Sequence, residues 1–176
     1  VILAPMAGYS DVSYRALCRA YGSAMNYTEF VPAEALLREE NPMWRRLDKK
    51  AGETPLVFQI FGTRAELLLR AAENILPLGP HIIDIYMGCS VPKVSERGAG
   101  VGMLLKPKLV AETFSLRSKR LPVPVTGKIR LGWDDDQRNF IEIARIMEDN
   151  GAQLIAMHGR TKMQKYNFEA DWAAIG

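Results

Sequence analysis

Six short apolar runs, spaced about 30 residues apart, constrain this chain more than any other feature. They cover residues 2–6, 25–30, 56–61, 82–87, 123–129 and 154–158. Most are continuous rather than alternating, the pattern of parallel strands covered on both faces. Helical segments with readable ends lie between them. Ser10 or Asp11 can cap the first, and Gly22 ends it. A short helix is expected near residues 32–38. Thr63-Arg-Ala-Glu66 reads as a capping box for the next helix. Pro107 suits a first helical turn. Asp134 to Asp136 favour a helix N-terminus, and Gly151 stops that helix. Strand–helix repeats of this length give one parallel sheet with right-handed crossovers. The fold class is therefore α/β. A (β/α)8 barrel closes with eight strands, so about six βα units read as an incomplete TIM barrel or an open sheet.

The 176 residues suffice for one domain with a real core. Hydrophobic content of 48% and charged content of 24% fit a globular chain. No apolar run reaches the roughly 18 to 20 residues that span a bilayer, so no membrane partner is expected. Val1 to Ala7 lacks the basic leader of a signal peptide. The chain starts without Met inside an apolar run, which predicts a missing N-terminus. Two cysteines, Cys18 and Cys89, make no disulfide framework and no metal site, pointing to a reduced, cytoplasmic setting. Net charge is +3. The basic residues cluster at Arg45, Arg46, Lys49 and Lys50, at Arg117, Lys119 and Arg120, and at Arg160, Lys162 and Lys165. Such clusters permit an anionic partner, though each alone suits a solvated face.

Polar residues gather toward the C-terminal ends of the strands, the end at which α/β folds do chemistry. Met6-Ala7-Gly8 follows the first run, and Thr28-Glu29 lies on the second. Gln59 is inside the third, Cys89 follows the fourth, Lys128 and Arg130 sit on the fifth, and His158-Gly159-Arg160 ends the sixth. A strand interior is a costly place for Gln59 or Lys128 without a partner. Glu29 and Asp84 are the carboxylates available to Lys128. Cys89, beside Lys93 and Arg97, can serve as proton donor, nucleophile or small buried residue. A mouth with an amide, a lysine and a histidine suits a flat, polar, anionic cofactor such as a flavin.

These pieces together resemble the tRNA-dihydrouridine synthases. The matching segments are Leu3-Ala-Pro-Met-Ala-Gly8 with Asp11, Tyr27-Thr-Glu29, Val57-Phe-Gln-Ile-Phe-Gly62 and Ile83-Asp-Ile-Tyr-Met-Gly-Cys89. Lys93, the Gly98-Ala-Gly100 loop, Leu104-Leu-Lys-Pro107 and Val125-Thr-Gly-Lys-Ile-Arg-Leu-Gly-Trp133 follow, then His158-Gly-Arg-Thr161 and Ala170-Asp-Trp172. The resemblance implies a flavoenzyme built on a TIM barrel, with FMN at Pro5, Met6, Ala7, Gln59, Lys128 and His158. It implies that NADPH (or NADH) reduces FMN, that hydride passes from flavin N5 to uridine C6 in tRNA, and that Cys89 delivers a proton to C5. Tyr86, Lys93, Arg130 and Arg160 are the implied substrate contacts. The family pairs this barrel with a C-terminal helical RNA-binding domain. Residues 1–176 are accordingly expected to be a single FMN-binding catalytic domain truncated at both ends, without that helical domain, from a protein that is monomeric at full length.

Three positions depart from the family pattern. Tyr86 stands where an asparagine is usual, and a phenol cannot match an amide's paired donor and acceptor. Ser90 replaces the proline that usually follows the cysteine, loosening the turn. Gly127 replaces an apolar residue at some cost in strand propensity. The seventh and eighth strands, whose loops are expected to hold the FMN phosphate, are not among the six runs. The competing readings are another FMN barrel oxidoreductase acting on a small molecule, of dihydroorotate or enoate type, and an inactive truncated form.

Overall fold

Seven strands, all parallel, form one sheet in the computed structural model, which describes residues 1–38 and 41–176. The side chains of Arg117 and Ser118 are also outside the described set, so the second basic cluster is described only at Lys119 and Arg120. The strands are β1 (Ile2–Leu3), β2 (Met25–Tyr27), β3 (Val31–Pro32), β4 (Leu56–Phe61), β5 (Ile82–Met87), β6 (Val125–Arg130) and β7 (Ile155–His158). Their order across the sheet is β1-β2-β4-β5-β6-β7, with β3 pairing β4 further along. Sequential order with helical crossovers is that of a barrel wall. The fold is an incomplete (β/α)8 barrel.

Helices α1 (Val12–Ala20), α2 (Ala33–Leu36), α3 (Ala65–Ile75), α4 (Pro92–Ser95), α5 (Pro107–Arg120) and α6 (Phe140–Asp149) fill the connections. The main core is the seam between the sheet and α3, α5 and α6. Phe58 and Ile60 of β4, Ile83, Ile85 and Met87 of β5, and Val125 and Ile129 of β6 pack there against Leu68, Ala72, Val110, Phe114, Ile143 and Met147. Successive side chains of a strand point to opposite faces, so the intervening residues of β4, β5 and β6 point the other way, into the concave side.

Several expected boundaries shift for local reasons. The first strand ends early because the Met6 carbonyl accepts from Tyr9 N and Ser10 N, turning the chain. Of residues 25–30 only 25–27 form a strand, β2; the next strand, β3, begins at Val31, just past the expected run. Asp11, not Ser10, caps α1 by accepting from Tyr14 N at 2.8 Å. The capping box at Thr63 is not made: α3 begins after an extended Arg64 with no side-chain cap. Asp134 caps a turn instead of a helix, accepting from Asp136 N and Gln137 N. The chain doubles back there, with Phe140 N donating to Leu131 O, so α6 starts at Phe140. Gly127 has a packing reason: a Cβ would fall 2.4 Å from Met147 Cε and 2.8 Å from Phe114 Cζ.

Candidate active site

The register of the parallel sheet stacks the inward-facing residues in rows. Gln59, Asp84 and Thr126 are direct neighbours across β4, β5 and β6. One row further along, Tyr86 lies beside Lys128 and Lys128 beside Ala156; above that, Arg130 lies beside His158. All of these side chains but Ala156 are polar or charged, in strands whose other face is wholly apolar apart from Gly127.

The lowest row is a closed hydrogen-bonded group. Asp84 accepts from Gln59 Nε2 at 2.8 Å and from Thr126 Oγ1 at 2.5 Å. All three residues are buried. Burial raises the Asp84 pKa, while these two bonds and the charge of Lys128 pull it back. Gln59 Oε1 has no hydrogen-bond partner although it is buried.

Above this row opens a cavity of about 470 Å³, lined among others by Pro5, Met6, Tyr27, Tyr86, Lys128, His158 and Tyr166. Five residues expected from the sequence, Pro5, Met6, Tyr86, Lys128 and His158, thus meet in one space. Ala7 is exposed in the turn beyond it, which Glu29 anchors by accepting from Gly8 N. Gln59 lies below, in the closed row. Glu29 pairs with Arg46 at 3.4 Å, so of the two carboxylates available to Lys128 it is Asp84 that acts on it. Burial lowers the Lys128 pKa, and Asp84 offsets part of that. Lys128 makes no hydrogen bond or ion pair among the described residues. Burial and the cations Arg130, Lys128 and Arg160 push His158 down to about 4. Its ring is neutral at pH 7, and Nε2 accepts from Arg160 Nη1 at 3.1 Å. Tyr86 packs on Phe30, with ring centroids 4.9 Å apart.

Cys89 sits just past the end of β5, buried under the following loop. Its carbonyl accepts from Val101 N. A Cβ on Gly100 would fall 2.7 Å from Cys89 Cβ, so only a glycine lets the loop close so tightly. Burial raises the thiol pKa, partly countered by the Val91 backbone and Arg130. The thiol therefore keeps its proton at neutral pH.

Of the remaining predicted residues, Arg130 and Arg160 lie beside His158 at the strand ends, and Lys93 lies apart. Arg130 is 2% exposed and braces three carbonyls: Nε donates to Gly88 O, and Nη1 to Thr161 O and Lys165 O, each at 2.9 Å. It ties the Cys89 turn to the loop after β7, so its described donors go to the backbone. Arg160 likewise donates to Phe168 O at 2.7 Å. Lys93 lines a separate cavity of about 250 Å³ with Gly62, Thr63 and Arg97. Residues 160–172 carry the exposed aromatics Tyr166, Phe168 and Trp172. Thr126 and Tyr166 are not among the residues expected from the sequence, and Asp84 is expected only as an available counter-charge. Asp84 and Thr126 carry a signal, since each is a polar residue flanked by apolar neighbours at strand spacing. Tyr166 lies in a loop without periodicity.

A family model described as dihydrouridine synthase (Dus) matches residues 2–176. The chain is 40% identical over 175 residues to tRNA-dihydrouridine synthase B of Pseudomonas aeruginosa, covering 99% of this chain and 53% of that protein. It is 39% identical to a probable tRNA-dihydrouridine synthase of Rhizobium leguminosarum, covering 99% and 55%. It is 36% identical over 177 residues to probable tRNA-dihydrouridine synthase 1 of Synechocystis, covering 99% and 49%. The chain thus spans about half the length of the curated relatives it matches. No helix among the described residues is long and apolar enough to cross a membrane.

Proposed function

This chain belongs to the dihydrouridine synthase family, and on that premise we propose that its strand-end cluster reduces the C5–C6 bond of a uridine in tRNA. The observation that carries the reading is the meeting of Pro5, Met6, Tyr86, Lys128 and His158 around one cavity; the Cys89 thiol, kept protonated by burial, follows Tyr86 in the chain just past the end of β5. FMN fits the residues present. A buried amide oxygen on Gln59 has no protein partner, and Lys128 has no described bonding partner. An acceptor, a cation and apolar walls from Pro5 and Met6 match a flat ring that gains negative charge on reduction. When bound and reduced by NADPH or NADH, FMN supplies the hydride that reaches C6.

The other steps belong to the protein. Lys128 offers positive charge that stabilises developing anion density, an effect amplified by its burial. His158, neutral at pH 7, acts as a hydrogen-bonding wall and adds no charge. Cys89 Sγ–H gives its proton to C5, and the thiolate is reprotonated from solvent. Its raised pKa keeps the donor loaded without external help. The target base must leave the RNA stack to enter the cavity. Tyr86, on the cavity wall, reads its edge. Lys93 and Arg97, exposed by the neighbouring cavity, suit RNA phosphates, which attract basic side chains independently of sequence. Arg130 and Arg160 shape the mouth through the backbone they hold. Residues 1–176 serve as one catalytic domain in this reading, working where cytoplasmic tRNA is processed.

The test is to incubate the protein with FMN, NADPH and unmodified tRNA and to quantify dihydrouridine by nucleoside mass spectrometry. Dihydrouridine should appear, and only with reductant. A protein that holds flavin and turns over a small enoate or dihydroorotate, but leaves tRNA unchanged, would transfer the reading to the small-molecule flavin oxidoreductases.

A further inference from the structure

Asp84 is a fully buried acid that the proposed chemistry does not use. It is 0% exposed, halfway along β5, and makes no ion pair among the described residues. Burying a carboxylate is costly, and a well-packed apolar residue of similar size would ordinarily serve a barrel interior better. Its partners suggest what it is for. Both of its oxygens are used as acceptors, Oδ1 from Thr126 Oγ1 and Oδ2 from Gln59 Nε2.

A glutamine amide has one end that donates and one that accepts. Asp84 accepts at the end it meets, so the Gln59 nitrogen is drawn toward it and the oxygen is turned away. That oxygen is buried and has no partner. Buried acceptors left unpaired are uncommon, and each calls for an explanation. Lys128, one row higher and on the adjacent strand, feels Asp84 as its principal counter-charge.

We propose that Asp84 is a positioning residue that locks the Gln59 amide with its oxygen free to accept an N–H from a ligand bound above it. The inference rests on the flavin reading in one respect: the N–H in question is N3–H, the sole N–H of an oxidised isoalloxazine ring. Thr126 keeps Asp84 in place from the other side. The arrangement gives the site a fixed acceptor, where an untethered glutamine could present either end.

The experiment is a cycle of protein variant against ligand. Dissociation constants for FMN and for 3-methyl-FMN, which lacks N3–H, are measured by flavin fluorescence quenching on wild type, Asp84→Asn, Asp84→Leu and Gln59→Met. Wild type should prefer FMN by about five- to tenfold, the scale of one hydrogen bond. Asp84→Leu and Gln59→Met should lose that preference and bind both ligands alike. Asp84→Asn should keep it, because an asparagine oxygen still accepts from Gln59 while its NH₂ donates to Thr126. A merely structural Asp84 would weaken both ligands equally and leave the preference intact, which would overturn the inference while sparing the flavin reading. Wild type that binds neither ligand would overturn the flavin reading and the N3–H assignment with it. A cofactor-free measurement covers poor folding of Asp84→Leu. In wild-type protein the Gln59 side-chain NH₂ should exchange slowly and show a through-hydrogen-bond coupling to the Asp84 carboxyl carbon. A fast-exchanging, uncoupled Gln59 amide would show that Asp84 does not orient it.

Discussion

The two faces of β4, β5 and β6 differ more from each other than any two separate elements of the molecule. On the helix side, Phe58, Ile60, Ile83, Ile85, Met87, Val125 and Ile129 form part of one continuous core. On the concave side, at alternating positions of the same strands, stand Gln59, Asp84, Tyr86, Thr126, Lys128 and Arg130. The first set is interchangeable chemistry, held together by shape and by removal from water. The second is specific chemistry held together by bonds with named donors and acceptors. Stability and function are thus written on alternate residues of one segment, and substitutions should separate them.

The largest effect expected is on the helix side. Phe58→Ala empties a fully buried ring position and should cost about 3–5 kcal/mol of stability, read as a lower urea midpoint. Lys128→Ala, three registers of the same sheet away, should change that midpoint little, within about 1 kcal/mol. Loss of its attraction to Asp84 is offset by relief from burying a cation. The same variant should lose flavin retention or slow flavin reduction. A Lys128→Ala protein that unfolds as readily as Phe58→Ala, yet holds its flavin normally, would erase the division between faces.

Cys89 and Cys18 give the next contrast. Cys89→Ala should lower tRNA reduction by about 10² or more, the scale of a lost general acid, with flavin binding retained. That corresponds to about 2.7 kcal/mol of barrel-mouth chemistry from one thiol proton. Cys18, half-buried on α1, should tolerate alanine with unchanged turnover and a small loss of stability. Equal turnover in the two variants would remove Cys89 from the mechanism.

The helix-facing half of this comparison was legible in the sequence. Residues 56–61 and 82–87 are strands to the residue, because each is a short, mostly apolar run, broken by Gln59 or Asp84, with Pro or Gly at or near each end. The concave half was legible only in part. Gln59 and Lys128 stood out as polar intruders, and Cys89 through its family motif. What the sequence does not carry is register. Gln59, Asp84 and Thr126 are far apart in the chain and become one bonded row only when β4, β5 and β6 align. Arg130 shows the same limit of the sequence. Its type suggests a substrate contact, but the carbonyls that take up its donors come from Gly88, Thr161 and Lys165, which only the folded chain brings to it.

The smallest effect expected is a pH dependence of stability that belongs to the concave face. His158 titrates near 4 in the folded protein against an ordinary 6.5, because burial and three neighbouring cations oppose its charged form. Between those values the unfolded chain binds a proton that the folded one refuses, so proton binding favours unfolding. The contribution is absent above about pH 6.5, grows as pH falls toward 4 and is constant below that. His158 is only half-buried, so solvent screening holds the effect to the order of 1 kcal/mol. Asp84, whose raised pKa works in the opposite direction, makes the bare wild-type curve a poor guide. The useful quantity is the difference between wild type and His158→Gln, which should be flat above pH 6.5 and favour the variant increasingly down to pH 4. Two curves that run parallel across that window would mean that the cations around His158 do not press on it, and that the concave face is less electrostatically strained than its geometry indicates.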